Sequence, residues 1–111
     1  MAILKYVALK YGSESMQGGA QSEEKGEAEM LAHAIGDLLK PSNIKCYMPN
    51  VDRAQVGDDL IHGMKNLTVS MDARSSTFLM GEEPCFADFM LYELCERVEF
   101  ISEGKLFEEN L

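Results

Sequence analysis

The chain has 111 residues, enough for one domain with a single modest core, and its 46% hydrophobic and 26% charged residues are ordinary for a globular protein. Ten basic residues against nineteen acidic ones leave a net charge of −9. Such a surface repels phosphate backbones and anionic lipid, which disfavours nucleic acid and membranes as partners. No run approaches the ~20 apolar residues of a membrane span. Met1-Ala2-Ile3-Leu4-Lys5 lacks the charged leader and long apolar stretch of a signal peptide, so the expected location is the cytoplasm.

Residues 2–11 read as a short helix, with Ile3, Tyr6, Val7 and Lys10 at helical spacing and Gly12 in the position of a stop. Their β-branched and aromatic content would also suit a strand. The Gly, Ser and Gln of residues 12–22 form a flexible connection, the best internal boundary in the chain. Ser22 before Glu23 and Glu24 looks like a helix N-cap with acids in the positive first turn. Ala28, Leu31, Ile35, Leu38 and Leu39 then recur at helical spacing until Pro41, which is expected to end the run.

A loop from Pro41 to Val51 follows, and Asp52 can cap a second long helix with Val56, Leu60, Met64, Leu67 and Met71 as its apolar stripe. Asp72 to Ser76 and Gly81 to Pro84 frame a turn region. A third long helix spans about Phe86 to Ile101, burying Ala87, Leu91, Leu94, Val98 and Ile101. Helices of this length gain most of their stability by packing apolar stripes together. The expected fold is therefore an all-α helical bundle. Eight Met residues and no Trp point to an adaptable interior, although Met also fills ordinary cores.

Chemistry-bearing patterns are sparse. Cys46, Cys85 and Cys95 are odd in number and show no CxxC or Cys/His clustering, which argues against a disulfide scaffold or structural zinc site. His33 and His62 stand far apart and read as surface or packing residues. Glycine-rich phosphate loops and the GxSxG and HExxH motifs are absent from the sequence. The pairs Glu82-Glu83 and Glu108-Glu109 read as solvated loop charges. No metal site or cofactor is expected.

The most specific local signal is Gly81-Glu82-Glu83-Pro84-Cys85-Phe86-Ala87-Asp88-Phe89. Asp88, three positions into a helix, can reach back to the N–H at the cap, as in a capping box. Cys85 stands at the cap itself and is a poor acceptor, so half of the reciprocal arrangement is weakened. Both are expected to serve helix capping.

Gly-x-x-x-x-Phe-Ala-Asp-Phe, opening a helix that continues Leu91-Tyr92-Glu93-Leu94, resembles the capping-box helix of cytosolic glutathione transferases. That family usually has Ser or Thr where Cys85 stands. Ala2-Ile3-Leu4-Lys5-Tyr6-Val7-Ala8 resembles the family's helix closing its thioredoxin-like N-terminal domain. Glu29-Met30, followed after six residues by Asp37-Leu38, is similar in spacing to the first long helix of the all-helical C-terminal domain. The mu, pi, alpha and sigma classes are nearest. The resemblance divides the chain into a helix over 1–12, a linker over 13–22, and a truncated transferase C-terminal-like helical domain over 23–111.

The resemblance implies a cytosolic dimer that conjugates the glutathione thiol to hydrophobic electrophiles in detoxification. In the family, a Tyr or Ser near the start of the N-terminal domain stabilises the thiolate, and a Gln-Ser pair holds the γ-glutamyl end of glutathione. Neither has a counterpart here, and Met1 reads as an internal methionine of a longer ancestor. Two positions carry over. Glu29 matches an Asp that reaches across the dimer to the glutathione of the partner subunit. Leu39 matches an electrophile-pocket position that is Tyr in mu and pi enzymes; Leu39 could line such a pocket but not donate a proton. The chain alone is therefore expected to be inactive as a transferase, contributing dimer surface and part of the electrophile pocket. The alternative is a non-catalytic, transferase-like interaction module. Missing elements would leave apolar faces exposed and favour a homo-oligomer.

Overall fold

The computed structural model describes residues 2–104, apart from the side chain of Cys46. It contains four α-helices: α1 (Ala2–Tyr11), α2 (Ser22–Cys46), α3 (Arg53–Asp72) and α4 (Phe86–Ser102). Among the described residues there is no strand, only an isolated antiparallel bridge between Phe78 and Gly81. The fold is an all-α bundle, as the periodicity implies.

The core lies where α4 packs against both α2 and α3. Ala28, Leu31, Ala32 and Ile35 from α2 meet Val56, Leu60, Ile61, Met64 and Leu67 from α3. Phe86, Ala87, Met90, Leu94, Val98 and Ile101 supply the α4 side. Burial of such stripes removes apolar surface from water at about 25 cal/mol per Å2, the main force holding three helices together. α3 approaches α4 closely at Gly57, where a Cβ would stand 3.2 Å from the Ser102 Cα.

α2 departs from expectation at both ends. Its N-cap is Gln21, in extended conformation and without a side-chain cap bond, while Ser22 is the first helical residue and its hydroxyl donates to Glu23. At the other end the helix runs through Pro41 to Cys46 rather than stopping at the proline. Proline lacks an N–H and crowds the preceding turn, so continuation needs compensation. The carbonyl that Pro41 leaves without its N–H is that of Asp37, an exposed residue open to water, while the buried Ser42 hydroxyl donates to the Leu39 carbonyl at 2.7 Å. Beyond it, Lys45 pairs with Asp59 of α3 at 3.5 Å. Burial of Ser42, one residue past the proline, keeps this turn packed on the bundle, and the half-exposed Lys45–Asp59 pair adds little to it.

α1 forms over the expected residues but presents a different face. Ala8 is buried and Leu4 packs against the core, while Ile3, Tyr6 and Val7 remain exposed. Between α1 and α2, Ser15–Gln17 make a 3-10 turn that ends at Gly18 in the left-handed region (φ 113°). A Cβ at Gly18 would collide with the Ala28 Cβ at 2.6 Å, so only glycine lets the chain pass this close to α2.

Candidate functional site

The best-built polar arrangement lies at the start of α4. The Asp88 carboxylate accepts the Cys85 N–H through Oδ2 at 2.8 Å and the Leu79 N–H through Oδ1 at 3.0 Å. One side chain thus caps the helix and anchors the preceding turn. The Cys85 side chain occupies the reciprocal position facing the Asp88 N–H, and that N–H donates to the Cys85 carbonyl at 3.1 Å. Sulfur is a weak acceptor, so the carboxylate carries most of the cap.

Arg74 secures the same turn from its other end. It donates to the Leu79 carbonyl and to Glu27 on α2. The sequence offered no signal for this bond, because Glu27 and Arg74 lie 47 residues apart.

Burial pushes the Cys85 thiol above its ordinary 9.0, and nearby backbone N–H groups of Ala87 and Asp88 oppose this only in part. The half-buried Cys95 is raised by burial as well. Neither thiol is a ready nucleophile at neutral pH, because the reactive species is the thiolate. Cys85 is a core residue that also sits at a cap, with no surface exposure.

Glu29 lies on the side of α2 that faces α1. It accepts from Lys5 Nζ and has His33 Nε2 at 3.5 Å. The Lys5 hydrogen bond, opposed by some desolvation, holds the Glu29 carboxyl below its ordinary value of 4.5. Beside it is a cavity of about 120 Å3 shared with Lys5, Gln17, Lys25 and Phe86. That volume is well below the roughly 300–1,000 Å3 of small-molecule sites.

Leu39 packs half-buried against the core. Ten residues of helix separate it from Glu29, about 15 Å along the axis. The structure therefore does not bring the two carried-over positions together into one site. Glu82 is exposed and accepts from the Thr77 hydroxyl at 2.6 Å, and Glu83 is exposed. Glu108 and Glu109 lie outside the described residues. Among the described residues, no three His, Cys, Asp or Glu side chains converge as metal ligands would. No described helix is long and apolar enough to cross a membrane.

A roomier cavity than the one beside Glu29 lies elsewhere. It measures about 470 Å3 and lies between the end of α2, the start of α3 and the last turn of α4. Periodicity could not reveal it, because it forms only where three helix ends meet. No protein-family model matches the chain, and neither does any of the curated proteins or solved structures compared with it.

Proposed function

We propose that the chain is a glutathione transferase-like protein of the cytoplasm. In this reading the family's role is conjugation of the glutathione thiol to hydrophobic electrophiles in detoxification. This chain supplies dimer surface and part of the electrophile pocket, and lacks appreciable activity alone. The observation that carries the reading is the Asp88 cap on Cys85, set in the segment whose sequence resembles the family's capping-box helix. It is supported by an all-helical fold in which helices stand over all three resembling segments. Glu29 is the residue assigned to the glutathione of the partner subunit, and Leu39 the one assigned to the electrophile.

A conjugation assay on the purified chain, with glutathione and chlorodinitrobenzene, tests the catalytic half. The expected rate is that of the uncatalysed reaction. Robust turnover that Glu29→Gln abolishes would place the thiol-activating group within these residues and overturn this reading. Retention on immobilised glutathione tests the family assignment, and failure to bind counts against it.

A second reading is a non-catalytic interaction module. The exposed side of α1 favours it, since Ile3, Tyr6, Leu9 and Tyr11 are each more than half exposed. Apolar groups gathered on one helix mark a contact surface. Specific co-purification of another protein, lost in Tyr6→Ser but without retention on glutathione, would select this reading.

A further inference from the structure

We infer that the 470 Å3 cavity at the helix ends is a binding site for a small organic monoanion, a carboxylate or sulfonate carrying a compact apolar body. This rests on neither Glu29 nor Leu39 and stands apart from the transferase reading. The cavity's volume falls within the range of small-molecule sites. Buried Val56 and Ile101 supply apolar lining, with the flank of Phe100 beside them. The polar side chains that reach it are Lys45, Asn50 and Arg53. Among the described residues no carboxylate lines it, although acids outnumber bases nearly two to one in this chain. Two cations and an amide around an apolar pocket match an anionic head on an apolar body.

Arg53 is already held in place. Its Nε donates to the Ile101 carbonyl at 3.2 Å, its Nη2 donates to the Phe100 carbonyl at 2.6 Å, and the guanidinium stacks 5.1 Å from the Phe100 ring centroid. A planar fork fixed in advance loses little freedom when an anion arrives. The ion pairs Arg53–Glu103 (3.4 Å) and Lys45–Asp59 (3.5 Å) join solvent-exposed side chains. Exposed pairs of this kind contribute little, so Lys45 can turn to a ligand and Arg53 can exchange Glu103 for one without leaving its two carbonyls. Lys45 lies in the last turn of α2 and Arg53 opens α3, so the site exists only because α2 continues past Pro41.

The test is a titration of the full chain with naphthoate and, separately, with the uncharged naphthylmethanol, followed by backbone amide NMR shifts. The expected result is saturating shifts confined to residues 45–56 and 100–101. Naphthoate should bind about tenfold tighter than the alcohol, the scale of one hydrogen bond to a charged group. Lys45→Gln, a change at a half-exposed position, should remove most of that preference while leaving the alcohol's affinity unchanged. Added salt should weaken naphthoate alone. Equal affinity for acid and alcohol, shifts centred on α1, absence of saturation, or a preference untouched by Lys45→Gln would each overturn the assignment.

Discussion

Asp88 spans two jobs that are usually divided between residues. One oxygen closes the first turn of α4, and the other holds the backbone at Leu79, nine positions earlier. Removing the carboxylate leaves two N–H groups without their partner, at roughly 1 kcal/mol or more each. Asp88→Ala should therefore cost about 2–3 kcal/mol in urea unfolding. A loss below about 1 kcal/mol would mean that solvent satisfies one of these groups. Cys85→Ser has no such clear sign: a better cap acceptor is gained, but the residue is fully buried in the core.

Glu29 sets a pH dependence of definite sign. Its carboxyl is held below the ordinary 4.5, chiefly by the hydrogen bond from Lys5. A group whose folded-state pKa is depressed contributes stability above its unfolded value and loses that contribution as pH falls through the folded one. The α1–α2 tie should be fully present from about pH 5 upward and fade below about pH 4.5. Melting curves of Glu29→Gln should accordingly lie below wild type at neutral pH and converge with it in acid. Curves separated by the same interval at every pH would remove Glu29 from this role.

At the scale of elements, α2 is the informative case. Pro41 is exposed and sits inside a 25-residue helix. Proline in a helix interior is about 3 kcal/mol less favourable than alanine, offset in part because it also restricts the unfolded chain. Pro41→Ala should raise stability by about 1–3 kcal/mol, read from the urea midpoint at unchanged m. Destabilisation instead would show that the proline shapes the turn that carries Ser42 and Lys45. α1 shows the opposite relation between pattern and packing. Its apolar positions nearly encircle the helix, yet the bundle takes up only Leu4 and Ala8. A periodic stripe identifies a helix more securely than it identifies the side that becomes buried.

At the largest scale, the described residues extend over 45 × 28 × 18 Å, a slab about two helices thick. The radius of gyration of 14.8 Å exceeds the roughly 13 Å of a compact chain this long. A thin core concentrates stability at the few side chains where α4 meets α2 and α3. Leu94 on α4 is one of them and has no surface exposure. Leu94→Ala should cost about 2–5 kcal/mol, enough to threaten the folded state of a domain with ordinary stability. Val69→Ala on the exposed side of α3 should change stability by no more than about 0.5 kcal/mol. Comparable losses at both positions would mean that the solvent face of α3 is covered in solution.

The helical class, the three long helices, the Asp52 cap and the reach of Asp88 to Cys85 were written in the sequence. Each depends on residues within a few turns of one another. Asp52, for example, accepts from Ala54 and Gln55, two and three positions on. Tertiary structure alone decided the passage of α2 through Pro41, the side of α1 that is buried, the bond from Arg74 to Glu27, and the cavity flanked by Lys45 and Arg53. Those outcomes balance a local preference against contacts between distant segments. Such contacts are set by how the helices pack in space, which spacing along the chain does not encode.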